Sequence, residues 1–331
     1  MPMQEQLAQI ACKIETTEGA DIWGAGTPPG GADIFLASNI KFTPDIKMVT
    51  RKQVRGNNSP QTSLPGLRSG KLSFDVEMVG GSSAGHPIGS ANSGNNFGLA
   101  SALIACNVQQ TLVVATSGTY APCSDISTSD PFSNCTVSVA WMMDGKMYKG
   151  WGARGNAKMV LNDGEPGKLS IELTLADWSE EDESLVSSSV VYNSQTPPVF
   201  QGATFSLDST YTAIISKLEF DLGCKPALRP DVSASSGYRS AYIAGIREPM
   251  VSFDPENVLA ATYDFMGKWR AGTIGTLSAQ WGSTPSQFTL TFGYLQYEGV
   301  SLVEKDGLSR FDIKASPKGS SGDDEWGLVI V

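Results

Sequence analysis

The same order of patterns runs through the chain twice, and that repetition restricts the fold more than any single motif does. In the first half, NIKFTPDIKMVT and KLSFDVEMV read as strands separated by RKQVRGNNSPQTSLPGLRSG, residues 51–70. Leu72, Phe74, Val76 and Met78 face one way and Ser73, Asp75 and Glu77 the other, the period of two expected of a strand with one covered face. FGLASALIACN (97–107) follows as a helix, with Leu99, Leu103 and Ile104 on one face and capping candidates at 93–96. Asp144-Gly145 then turns VSVAWMM back into KMYKGW, and NDGEPG (162–167) makes a second turn. After it Leu169, Ile171, Leu173 and Leu175 alternate with Ser170, Glu172, Thr174 and Ala176, completing an antiparallel meander.

The second half repeats this order. AIISKLEFDL (213–222) is the first strand, CKPALRPDVSASSGYRSA (224–241) the long loop and YIAGIREPMVSF the return strand. ENVLAATYDFMGKW (256–269) stands where the helix stood, and TIGTLSAQW, QFTLTFGYL, GVSLVEKDG and SRFDIKAS form a four-strand tail. Between the halves, DWSEEDESLVSSSVVYNSQTPP joins an acidic run (177–183), a serine run and a proline pair, as a connection would. The expectation is a mainly β chain of two tandem antiparallel β-sandwich or barrel-like domains, each with one flanking α-helix and a long hairpin arm. The first domain covers 1–185, a linker 186–200 and the second, diverged domain 201–331.

A length of 331 residues suits two domains, each with its own core. The longest apolar runs, LVVA (112–115) and LVIV (328–331), fall far short of the ~20 residues that span a bilayer. The N-terminal stretch has acids where a secretory signal has a basic region, so cytosolic synthesis is expected. Cys12, Cys106, Cys123, Cys135 and Cys224 contain no C-x-x-C pair. Cys123 and Cys135 bracket a polar loop that a disulfide would close under oxidation; as metal ligands they lack a nearby His or third Cys. A net charge of −10 has the wrong sign for gripping nucleic acid through its phosphates.

Gly150, Gly152 and Gly155 in GWGARG spell the G-x-G-x-x-G of a dinucleotide loop, but NAKMVLN after them is too short for the helix that would hold a pyrophosphate. The glycines read instead as a strand bend or as room for a neighbouring backbone. His86, the single histidine, lies in a Gly/Ser loop without a nucleophile elbow, and one His makes H-E-x-x-H impossible. Asp75/Glu77 and Asp323/Asp324/Glu325 lack a calcium-loop pattern and read as solvated acids, and the run 177–183 as a solvated linker. Asn134-Cys135-Thr136 matches a glycosylation sequon without a secretory context. No catalytic residue, metal or cofactor is expected.

Arg51, Lys52, Arg55 and Arg68 form the one cationic cluster on an acidic chain. With Leu64, Pro65 and Leu67 beside them, they read as an arm for a protein neighbour rather than as a phosphate site. The corresponding loop of the second half supplies Arg229 and Arg239.

KIETTEGAD, FLASN, LPGLRSGKLSFDVEM, VAWMMDGKMYKGWGARGN and NDGEPGKLSIELTLADW, taken in order, resemble tail tube proteins of long-tailed bacteriophages over residues 12–178. The second half resembles them in element order only, with GYLQYEG (293–299) in place of GARG. The resemblance implies a virion structural protein, assembled in the bacterial host cytoplasm, that polymerises with itself as stacked rings into the conduit for DNA ejection. Each domain would send its arm to a neighbouring subunit or ring. Rings of six such domains imply trimers with pseudo-sixfold symmetry for a two-domain chain. Tape measure, tail terminator and distal tail proteins are the implied partners, and DNA passes without specific binding. Asp75, Glu77, Glu172, Glu219, Asp221 and Asp312 are then expected to face the lumen. Two other readings remain: a baseplate or distal-tail ring protein, and a carbohydrate-binding sandwich with Trp23, Trp141, Trp151 and Tyr148 as its platform.

Overall fold

The computed structural model describes residues 7–24, 26–80, 98–113, 116–124, 136–187, 190, 192 and 195–331. In chain order its elements begin with β1 (Ala8–Ile14), β2 (Ile34–Phe35), β3 (Ser38–Val49), β4 (Leu64–Glu77) and α1 (Gly98–Ala105). There follow β5 (Val108–Val113), β6 (Ser117–Pro122), β7 (Val137–Met143), β8 (Lys146–Asn162), β9 (Lys168–Leu175) and β10 (Asp177–Glu181). The second half contains β11 (Thr204–Leu207), β12 (Tyr211–Thr212), β13 (Lys217–Asp221), β14 (Pro226–Pro230), β15 (Tyr238–Ile243) and β16 (Met250–Phe253). It ends with α2 (Phe265–Ala271), β17 (Ile274–Trp281), β18 (Phe288–Lys305), β19 (Leu308–Pro317) and β20 (Gly327–Ile330).

All the named pairings are antiparallel, as the short turn spacings require. Asp144 and Gly145 take the positive φ values (42° and 91°) of a primed hairpin turn joining β7 to β8; Asp306 and Gly307 (53° and 77°) do the same between β18 and β19. β8 and β18 are long because each serves two sheets. The N-terminal part of β8 pairs with β7 and β10, and its C-terminal part with β9. β18 pairs first with β17 and β20, then with β19.

Each half is thus a sandwich. In the first, the order β3-β4-β9-β8 faces a layer built on β2-β1-β7-β8-β10. In the second, the order β13-β16-β19-β18 faces β12-β11-β17-β18-β20. Between the layers lies one apolar core that runs through both halves, from Phe74, Leu103 and Leu173 to Phe220, Phe253 and Ile313. Period-two alternation feeds it: β4 buries Leu72, Phe74 and Val76 and leaves Lys71, Ser73 and Asp75 outside.

Two pairings between named strands cross between the halves. β8 pairs with β13, joining the two inner layers edge to edge. The β5–β6 hairpin of the first half adds to the second half's outer layer through β20.

Several expectations change. Leu64–Leu67 are not loop but the start of β4, paired with the end of β3; Pro and Gly there had suggested a break. The second helix starts at Phe265 rather than 256, where Asp264 accepts a bond from the Gly267 N–H as N-cap. QFTLTFGYL and GVSLVEK are one strand, β18, with a bulge beside Gly299 absorbing the expected break. The acidic run 177–183 begins as strand β10 rather than as a solvated linker. His86, Asn134, Cys135 and the capping candidates at 93–96 lie outside the described residues, and with them the Cys123–Cys135 pairing.

Candidate functional site

The seam between the halves is the first candidate surface. Residues Lys158–Asn162 of β8 pair with Lys217–Asp221 of β13, placing Val160 opposite Glu219, Met159 opposite Phe220 and Lys158 opposite Asp221. Alternation sends Met159, Leu161, Leu218 and Phe220 into the core. On the other face Lys158 Nζ stands 2.7 Å from Glu219 Oε2, and that hydrogen bond holds the Glu219 carboxyl below its ordinary pKa.

The register also brings all six expected lumen acids onto that outer face, because directly paired residues share a side. Asp75 lies opposite Ser170, Glu77 opposite Lys168 and Ser73 opposite Glu172. Lys158 bridges from Ser170 to Asp221, Val160 leads to Glu219, and Glu219 leads through Ser252 to Lys314, two residues from Asp312. Lysines interleave with the acids: Lys71 holds Glu172 at 2.5 Å and Lys217 reaches Asp312 at 4.0 Å. Asp75 accepts from Asn39 and Ser170, and Asp221 from Asn156. The face is a ladder of both signs rather than an acid-only wall.

The first arm is a two-stranded ribbon continuing β3 and β4 beyond the sandwich. Ile46, Met48, Val49, Leu64 and Leu67 are exposed along it, Pro65 pairs with Met48, and Arg51, Lys52 and Arg55 sit in the exposed tip. Arg68 does not belong to that free surface. Its guanidinium grips the buried Asp177 at 2.5 and 2.9 Å, and its backbone N–H donates to the Ser236 carbonyl at 3.1 Å.

Ser236 lies in the turn of the second arm, the β14–β15 hairpin, which lies back on the first half of the same chain. Arg229 and Arg239 face Glu18 at 3.4 and 3.9 Å, and the Ser240 hydroxyl donates to Glu18 at 2.5 Å. GWGARG lies under this hairpin. Gly152 has φ +62°, and a Cβ on it would meet the Ala176 Cβ at 2.8 Å and the Ser240 Cα at 3.1 Å. A Cβ at Gly155 would stand 2.4 Å from the Glu172 carbonyl oxygen. Gly152 and Gly155 admit neighbouring backbones inside strand β8 and open no helix.

Three polar anchors were not legible in the sequence. Glu15 is buried and accepts from Thr136, Ser138 and the N–H groups of Gly19 and Gly152; burial pushes its pKa up against those bonds. Lys149, 2% exposed, pairs with Asp21 and Glu181, both at 2.7 Å. Arg247 pairs with Asp323 at 2.5 Å and Glu325 at 3.0 Å, and Asp323 also accepts from Ser124, so two of the three acids tie three segments together instead of being solvated, while Asp324, among the described residues, accepts only from Ser320 and Ser321 of its own turn. Spacing signals little of this, since apart from Gly19, four residues from Glu15, the partners are remote in sequence. Trp23 does not join a tryptophan platform, being buried in a separate apolar cluster with Ala11, Ile34 and Met142, while Trp141 stacks on Tyr148 with ring centroids 5.5 Å apart.

Two strand edges complete the surface. Among the described residues β3 pairs on one side only, with β4, and Gly299–Lys305 pairs on one side only, with β19. Among the described residues no helix is long and apolar enough to cross a membrane. A family model described as phage tail tube protein matches residues 5–325, nearly the whole chain. No curated protein matches it.

Proposed function

The chain belongs to the phage tail tube protein family, and on that premise we propose that it polymerises as closed, stacked rings into the hollow conduit through which phage DNA is ejected. It is a structural component of the virion tail, from a structural rather than an enzyme family. The observation that carries the reading is the β8–β13 seam. It joins two sandwiches of like strand order edge to edge while leaving, among the described residues, one strand edge open at each end of the joined layer. Units joined head to tail close into a ring when the rotation permits, and two sandwiches per chain make a pseudo-sixfold ring from three chains.

In this reading 1–185 and 201–331 act as two tube domains joined by 186–200. The charge ladder bearing Asp75, Glu77, Glu172, Glu219, Asp221 and Asp312 faces the lumen. A conduit must not hold its cargo: the net charge of −10 repels DNA, and lysines engaged by Glu172, Glu219 and Asp312 are less available to phosphates. Arg51, Lys52, Arg55, Leu64, Pro65 and Leu67 on the first arm contact a neighbouring subunit or ring, whereas Arg68, Arg229 and Arg239 hold the second arm within the chain. Tape measure, tail terminator and distal tail proteins are the partners at the ends of such a tube, which assembles in the host cytoplasm.

Negative-stain microscopy of the purified protein with rotational averaging tests this. Long tubes with three strong and six weaker modulations are expected. Single rings that never stack would favour a baseplate component, and a persistent monomer would overturn the reading.

A further inference from the structure

The two inner layers can be superposed residue by residue through their pairings. Ser73 lies between Lys41 and Glu172, and Ser252 lies between Glu219 and Lys314. Lys41 therefore corresponds to Glu219, and Phe42 to Phe220. On the far side Glu172 pairs with Asn156 and Lys314 with Gly299, so Lys158, Met159 and Val160 correspond to Ser301, Leu302 and Val303.

Inside the chain, Lys158, Met159 and Val160 are three of the five residues that meet β13. Their counterparts meet nothing on that side among the described residues: Leu302 is 60% exposed where Met159 is 3%. An unpaired edge carrying exposed apolar side chains is a template for another strand. The segment that corresponds to β13 is β3, whose own outer edge is open.

We propose that Ser301–Glu304 of one chain pairs antiparallel with Ile40–Thr43 of a second copy, Ser301 opposite Thr43, Leu302 opposite Phe42 and Val303 opposite Lys41. This inference rests on the ring reading and gives it a register. Leu302 and Phe42 take the places of Met159 and Phe220 and are buried together against the core face. The seam between chains differs from the seam within a chain in one respect. Where Lys158 meets Glu219, the corresponding positions hold Ser301 and Lys41, so the ion pair is absent. The register is consequently set by the backbone ladder and the Leu302–Phe42 contact, and a slip of one residue would bring Lys41 or Thr43 of the second copy opposite Leu302 in place of Phe42.

The test is a full-length chain carrying Thr43→Cys and Ser301→Cys, both exposed positions that leave the core intact. Directly opposed residues in a sheet fall within disulfide range, whereas the diagonal pair Lys41→Cys with Ser301→Cys does not. Oxidation of the assembled protein is expected to link the first pair into covalent oligomers at least about ten-fold more than the diagonal pair. Leu302→Asp should leave the monomer folded by circular dichroism and abolish rings. If the unsubstituted protein forms rings but the diagonal pair links better, or neither pair links, the register is wrong and the ring reading stands. If the unsubstituted protein never assembles, both fall.

Discussion

Lys158 and Glu219 meet across the seam between β8 and β13, one from each half of the chain, with Nζ 2.7 Å from Oε2. Both side chains are partly exposed, so breaking the pair by Glu219→Gln should cost only about 0.5 kcal/mol at low salt. The sign with pH follows from the depressed Glu219 pKa: the stabilisation is present at neutral pH and is lost as pH falls through the folded-state value, below the ordinary carboxylate range. Urea denaturation at pH 7 and pH 3 should show Glu219→Gln and wild type converging in acid.

Arg68 should matter far more. Its removal leaves the Asp177 carboxylate buried without its cation, a loss of about 3 kcal/mol for Arg68→Ala, with Arg68→Lys intermediate because the two-pronged grip is lost. Thermal melts give the ordering. Limited proteolysis should then cut first near residues 231–237, where the contact of Ser235 with the Arg68 guanidinium is lost.

Glu15→Ala is expected to destabilise by about 2–4 kcal/mol, since it removes the acceptor of the Gly152 and Gly19 N–H groups and of the Thr136 hydroxyl and, among the described residues, leaves Ser138 only its bond to the Ala20 carbonyl. The pH dependence opposes that of Glu219. Because burial raises the folded pKa, the contribution is greatest below the unfolded value and declines as pH rises through the folded one. Glu15→Gln should remove that decline, as read from denaturation midpoints between pH 4 and 7.

Gly155→Ala must push the Glu172 carbonyl out of the β8–β9 ladder and is expected to cost roughly 2 kcal/mol or more. Gly152→Ala combines a left-handed backbone with contact against Ser240, so it should also free the second arm, visible as faster amide exchange over 238–243.

Excising residues 54–60 from the tip of the first arm removes no ladder pair and leaves Gln53 and Gln61, already bonded at 2.9 Å, to close the turn. The product should remain folded with an unchanged melt and fail to form tubes in the microscope. Tubes of normal length would show that the tip takes no part in assembly.

Much of the strand content could be read from alternation, because one covered face imposes a period of two whatever lies across it. The Asp144-Gly145 hairpin and the run from Leu169 to Leu175 were legible for that reason. The base of the arm is hidden in the sequence because Pro65 and Gly66 look like loop residues, although an edge ribbon tolerates both. The second helix was placed too early because Asn257 to Thr262 carries helical spacing without a cap, and Asp264 supplies the cap only later. The seam itself was invisible. Nothing in AKMVLN or KLEFD names a partner, and strand pairing between distant segments is settled by the shape of the assembled layers. Buried anchors such as Glu15 and Lys149 escaped for the same reason: a lone ionisable residue looks solvated until its partners arrive from elsewhere.

The hairpin formed by β5 and β6 has a kinetic consequence. It comes from the first half, yet its outer edge is satisfied only when Tyr120 meets Leu328, closing a loop of roughly two hundred residues. Contacts so remote in sequence form slowly, and until they form the hairpin presents a raw edge to the solvent. The two halves are consequently not beads that mature one after the other. The molecule becomes a finished building block in a single late event, when its last strand locks onto its first half.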